Sequence, residues 1–177
     1  MGAVATVAVF AATVAEWALR GEIARASQKA MNLRLDALLD GRCQRLRVVR
    51  RCPGRPGGIP ALRVSVLCAS ETLDVVETAV NGMHGTVRLR MAVDGDGEIV
   101  ALAIPEHHEQ IGLGRTLGEA GLTRRLVGHG LGDPPDEQWR LVREGGRFDA
   151  ITAATVTSRA IVDGARELLQ AMPLGCR

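Results

Sequence analysis

Apolar and polar residues alternate from Thr86 to Val93, with Val87, Leu89, Met91 and Val93 on one side and Arg88, Arg90 and Ala92 on the other. That alternation predicts a strand with one face in a core. Ile99 to Ile104 follows as an apolar run, and Asp94-Gly-Asp-Gly97 supplies turn residues between the two, so the segment reads as a β-hairpin. The period changes near the other end of the chain. From Thr155 to Leu169 the apolar residues Val156, Ala160, Ile161, Ala165, Leu168 and Leu169 recur at helical spacing, while Ser158, Arg159, Asp163, Arg166 and Glu167 fall mostly elsewhere. Thr155 thus stands at the start of an amphipathic helix. Weaker patterns give strands at Ala61 to Cys68 and Glu98 to Ile104, a short helix near Thr116 to Val127, a loop at Asp133-Pro-Pro-Asp136 and a short strand from Trp139 to Val142. The order predicts an α+β domain, an antiparallel sheet with packed helices.

A different pattern occupies the beginning. Ala3 to Leu19 is apolar apart from a few threonines and Glu16, with Trp17 beside that acid. At ~1.5 Å per residue it just crosses a ~30 Å hydrocarbon core if flanking residues help, which makes it a short transmembrane helix candidate. A signal peptide is the rival reading. Thr13-Val-Ala15 resembles a small-residue cleavage site, and the missing basic stretch before the apolar run counts against it. Gly21 to Leu39 carries a partial apolar stripe, Ile23, Ala26, Ala30, Leu33, Leu35, Leu38 and Leu39, and reads as a helical stalk. Arg42, Arg45, Arg47, Arg50, Arg51 and Arg55 then form a basic run that ends in the turn-rich Cys52-Pro-Gly-Arg-Pro-Gly-Gly-Ile-Pro60. The expected organisation is an anchor at 1–20, a stalk and basic linker at 21–60 and a folded domain at 61–177.

Composition narrows the function classes. The 177 residues carry a net charge of +2 and 2% aromatic side chains with no Tyr, so the chain has neither the charge nor the stacking rings of a nucleic-acid module. Cys43, Cys52, Cys68 and Cys176 contain no CxxC pair, and His84, His107, His108 and His129 are scattered, so no metal centre is signalled. In an oxidising compartment Cys43 and Cys52 form a candidate disulfide across the basic segment. Asp94-Gly-Asp-Gly-Glu98 alternates acids like a calcium loop, but its glycine comes too early and Pro105 stands where the bidentate Glu belongs. Gly112-Leu-Gly-Arg-Thr-Leu-Gly118 has one residue too many for a dinucleotide fingerprint and lies outside a βαβ unit.

The helix start holds the remaining chemistry. Its first amides lack intrahelical acceptors, so a phosphate at Thr155 would be hydrogen-bonded at the favourable end of the helix dipole. Thr155, Thr157 and Ser158 are equally cap candidates on this pattern, since hydroxyls satisfy the same donors.

Asp149-Ala-Ile-Thr-Ala-Ala-Thr155 resembles the Asp-x-x-Ser/Thr-Gly-Ala-Thr motif of the FMN-binding domain found in the G component of Rnf electron-transport complexes and the C component of Na⁺-translocating NADH:quinone reductases. His108-Glu-Gln-Ile-Gly-Leu-Gly114 is similar to that family's His-x-Glu-Thr-Pro-Gly-Leu-Gly region, and Asn81-Gly-Met-His-Gly-Thr-Val87 leads into the hairpin as the family's Gly-rich segment does. The chain departs from the family at Ala153, where the motif has Gly, and at Gln110-Ile111, where it has Thr-Pro.

The resemblance implies a membrane-anchored flavoprotein subunit that passes electrons and is not catalytic alone. FMN would be esterified to Thr155, with Thr152 and Ala154 shaping the loop, Asp149 in the sequence read by a flavin transferase and Thr157 beside the site. Glu109, Gly112, Leu113 and Gly114 would contact the flavin from an opposing loop. The expected partners are the integral-membrane and iron–sulfur or flavin subunits of an Rnf-type complex, which couples electron flow between ferredoxin and NAD to ion movement. The family places this domain on the periplasmic side of the inner membrane. The charges point the other way, because Arg20, Arg25, Lys29 and Arg34 all follow the apolar segment. A flavin-free membrane-tethered interaction subunit, and a flavin domain serving another extracytoplasmic reductase, are the alternative readings.

Overall fold

The computed structural model describes residues 33, 35–39, 43, 46–52, 62–68, 71–107 and 121–172, without the side chains of 46–52 and 62–63. The chain divides into two compact units, Met1–Ala37 and Leu38–Arg177. The expected anchor at Ala3 to Leu19 lies outside the described residues, as does most of the expected stalk. Among the described residues no helix is long and apolar enough to cross a membrane.

The second unit is built on an antiparallel sheet of five strands in chain order: β1 Leu46–Cys52, β2 Leu62–Cys68, β3 Glu71–Asn81, β4 Thr86–Val93 and β5 Ile99–His107. The hairpin of β4 and β5 forms as its alternation predicts, with Met91 opposite Leu102. Its turn is closed by Asp94, whose Oδ1 accepts the amides of Asp96 at 3.0 Å and Glu98 at 2.9 Å. That carboxylate serves the backbone. Among the described residues no group of His, Cys, Asp and Glu is arranged to hold a metal.

β3 has no counterpart in the expected elements. Val75 and Val76 are buried side by side, so both faces of the strand are covered and the alternation that marks a half-exposed strand is lost. β1 corrects the expected linker, because the basic stretch over 46–52 pairs with β2, with Arg51 opposite Val64. The sheet therefore starts before the expected boundary at 61. The register of this pair also corrects the candidate disulfide. Cys43 is bonded to Cys68, with Cα atoms 5.0 Å apart. Leu46 lies opposite Cys68, which brings the residues just before β1 to the end of β2, whereas Cys52 lies opposite Arg63 at the far end of the pair. A strand of this length spans ~20 Å, well beyond the ~7 Å limit for a disulfide.

One sheet face carries the main core. Val87, Leu89, Met91 and Val93 of β4 cluster there with Ile161, Val162, Ala165, Leu168 and Leu169 of the long helix α2, Thr155–Ala171. A short helix α1, Leu122–Leu126, adds Leu122 and Leu126. It occupies the end of the helical window expected from Thr116 to Val127. Gly164 lets α2 close on the sheet, since a Cβ there would lie 2.5 Å from Val80 Cγ1 and 3.1 Å from Leu89 Cδ1.

The strand expected from Trp139 to Val142 is absent. Trp139 and Leu141 are buried and Arg140 between them is exposed, which imitates a strand pattern. The chain instead makes 3-10 turns at Asp136–Gln138 and Val142–Glu144, and Leu141 keeps a single bridge to Phe148.

Candidate functional site

The segment resembling the attachment motif forms a tight turn that leads into α2. The Ala154 amide donates to the Ile151 carbonyl at 3.0 Å, closing a four-residue turn. Its third residue, Ala153, has φ 63°, and it is the one non-glycine with positive φ among the described residues. A turn with positive φ at its third position favours Gly there, because a Cβ in the left-handed region crowds the backbone. The family's Gly therefore has a geometric reason, and Ala153 adopts the conformation that Gly would supply without strain.

Ser158 holds this turn from beneath, and Thr157 ties the start of α2 to the turn between β3 and β4. Ser158 Oγ accepts the Ile151 amide at 3.0 Å, and Thr157 Oγ1 accepts the Met83 amide at 3.1 Å. Both residues are fully buried. Helical periodicity puts Ser158 off the apolar side and Val156 on it; the structure reverses both, burying Ser158 and exposing Val156. The reason is local, since the first turn of α2 meets its own approach loop through Ser158 and the β3–β4 turn through Thr157.

Thr152 is exposed, Thr155 half-buried and Ala154 buried. Thr155 is the first residue of α2, and its preceding cap, Ala154, offers no side-chain hydrogen bond to the helix amides. Those amides leave a positive end open to an anion. Arg143 reinforces it: its Nη1 donates to Thr155 Oγ1 at 3.2 Å. Next to it Glu144 is bound by Arg159, whose Nε donates to Glu144 Oε1 at 2.8 Å and whose Nη2 makes a second, shorter bond. The hydrogen bond from Arg159, helped by the charges of Arg159 and Arg143, holds the Glu144 carboxyl below its ordinary range. The same bond raises Arg159. Sequence reasoning missed Arg143. Its only signal was a basic residue in a Gly-flanked turn, and nothing in the spacing ties it to Thr155.

Asp149 is exposed at the start of the motif, where Arg125 of α1 donates to its carbonyl at 3.2 Å and lies 3.7 Å from its carboxylate. Three of the exposed large apolar residues gather near this end of α2. They are Val156 (44%), Val142 (51%), next to Arg143, and Met83 (63%), whose amide reaches Thr157. The structure thus brings Thr152, Ala154, Thr155 and Thr157 together in one loop and helix turn. Glu109, Gly112, Leu113 and Gly114, expected to face them, lie outside the described residues.

A comparison with protein families matches residues 82–170 to the FMN-binding domain, from the Met83 turn through α2. The chain belongs to the FMN-binding domain family. The FMN-binding domain here is similar to the G component of the ion-translocating oxidoreductase complex of Cronobacter sakazakii, with 33% identity over 92 residues, 50% of this chain and 44% of that one. The corresponding protein of Pectobacterium atrosepticum is 33% identical over 102 residues, covering 54% and 48%, and that of Pseudomonas aeruginosa 33% over 95 residues, covering 52% and 44%. The match thus spans about half the length of each of these curated relatives. The family match begins after β1, β2 and β3 and covers none of them.

The residues of this FMN-binding domain fit the phosphate of FMN at Thr155. A half-buried hydroxyl stands at an uncapped helix end, and a guanidinium is already hydrogen-bonded to it.

Proposed function

We propose that this chain is the flavoprotein subunit of a membrane-bound, ion-translocating ferredoxin:NAD oxidoreductase complex of the Rnf type, and that it carries FMN in phosphoester linkage on Thr155. The observation that carries this reading is Thr155 itself, at the head of an uncapped helix directly after a turn with positive φ at its third residue. FMN, when bound, supplies one- and two-electron chemistry, and the protein supplies position and surroundings.

Each residue of the loop has a part in that. Thr155 holds the phosphate. Ile151 and Ala154 close the turn that aims it, Ser158 fixes the turn to the helix, Thr157 ties the helix to Met83, and exposed Asp149 is available to a flavin transferase. Thr157 supports the loop and is no tether, since a fully buried hydroxyl has no room for a flavin. Met83, Val142 and Val156 give a flavin ring apolar surface next to its tether. No acid or base is required, because electrons pass to a neighbouring centre by proximity. Glu109, Gly112, Leu113 and Gly114 complete the flavin site from the Gly-Leu-Gly loop.

The domain acts on the periplasmic side of a bacterial inner membrane, held by the segment from Ala3 to Leu19 and surrounded by the other members of the complex. The Cys43–Cys68 disulfide supports this side, because such bonds persist in oxidising compartments. It weighs against the basic residues that follow the anchor. A flavin-free interaction subunit is the other reading. Its main support is Ala153, but Ala153 keeps the left-handed angle that the family's Gly would adopt, so the turn is not lost.

The test is co-expression with the flavin transferase, followed by flavin fluorescence on a denaturing gel. Thr155→Ala should abolish the fluorescent band and Thr152→Ala should keep it. A band that survives Thr155→Ala refutes the assignment of the tether.

A further inference from the structure

Arg143 makes a hydrogen bond to a neutral hydroxyl and, among the described residues, no ion pair. Its neighbour Glu144 feels the charge of Arg143 but is bonded to Arg159. The short turn that carries Arg143 is fixed. Gly145 closes it with φ 82°, and Gly146 packs so tightly that a Cβ there would lie 2.2 Å from the Arg140 carbonyl oxygen. The Glu144–Arg159 pair then clamps the turn to α2 one helical turn beyond Thr155. A guanidinium is therefore held at Thr155 before any anion is there.

We propose that Arg143 is the counter-ion of the flavin phosphate, a positioning residue that orients the Thr155 hydroxyl in the unmodified chain and pairs with the non-bridging phosphate oxygens in the modified one. The inference rests on the tether reading. A guanidinium suits this role because its planar fork of donors matches two phosphate oxygens, and because charge-assisted bonds are about twice as strong as neutral ones. The positive end of α2 adds to it.

The experiment compares thermal midpoints of modified and unmodified protein for the wild type, Arg143→Ala and Arg147→Ala, with labelling by purified transferase carried to completion and checked by mass spectrometry. Arg147 is an exposed arginine in the same loop, and it controls for loss of one positive charge. Arg143→Ala should lower the modified form by about 3 °C more than the unmodified form, on the scale by which stability changes move a midpoint in a domain of this size. Arg147→Ala should shift both forms alike, and 1 M salt should shrink the Arg143 difference. Equal shifts of the two forms by Arg143→Ala would overturn the proposal. So would folded Arg143→Ala that accepts no flavin, which would assign Arg143 to recognition by the transferase. Wild type left unmodified at Thr155 would instead sink the tether reading itself.

Discussion

From Ile161 to Leu169, α2 buries Ile161, Val162, Gly164, Ala165, Leu168 and Leu169. In the turn leading into it and over its first residues, Thr152, Ala153 and Val156 are exposed, Ala153 has a strained positive φ and no side chain caps the helix. The magnitudes explain how one helix tolerates both. Each large apolar side chain buried in its body contributes about 1.5–3 kcal/mol, whereas one left-handed residue costs about 1–2 kcal/mol. The body fixes the position of the head, and the head can keep an open, polar, anion-attracting end.

Substitutions in the body should therefore have the largest effect. Leu168→Ala should cost about 2–5 kcal/mol in chemical denaturation, by lost transfer energy and a cavity. A loss below about 1 kcal/mol would mean that the body does not carry the fold. Ser158→Ala acts at the boundary between the two regions. It leaves the buried Ile151 amide without its acceptor and should cost about 1–3 kcal/mol. It should also reduce flavin labelling at Thr155, and unchanged labelling would show that the turn does not need its pin.

The head should respond in the opposite sense. Ala153→Gly removes about 1–2 kcal/mol of strain and adds about 0.4–1 kcal/mol of unfolded-state entropy, so a net gain of about 0.8 kcal/mol is expected from these two terms. A loss of stability would contradict the left-handed geometry. The smallest effect concerns pH. The Glu144 carboxyl is lowered on folding, so the stability it contributes is present above its ordinary value of 4.5 and is lost as pH falls below that value through its folded one. Glu144→Gln should flatten the acid limb of the stability profile and leave neutral pH nearly unchanged. An unaltered acid limb would show that the pair with Arg159 is too solvated to matter.

How much of this was legible in the sequence follows the same division. β4 keeps its large apolar residues on one side, with Arg88, Arg90 and Ala92 on the other even though Arg90 and Ala92 are buried, and the body of α2 hides one face, so their periodicities were readable and their boundaries nearly right. β3 hides both faces and left no alternation, and the charges of the 46–52 stretch disguised a strand as a linker. The disulfide partner of Cys43 depends on sheet register, which no cysteine spacing encodes. In the site, the motif located Thr155 and the turn before it. Arg143 was out of reach because it meets Thr155 through a fold of the chain across Gly145 and Gly146. The positive φ of Ala153 became visible only once the backbone was traced, and it turned a departure from the family motif into an explanation of that motif.

Peptide mass spectrometry on the full chain, expressed with its flavin transferase, tests the central claim most directly. The account predicts an FMN phosphoester on the peptide that contains Thr155, with fragment ions placing it on that residue and not on Thr152 or Thr157. An unmodified peptide, or FMN mapped to either of the other threonines, would contradict it.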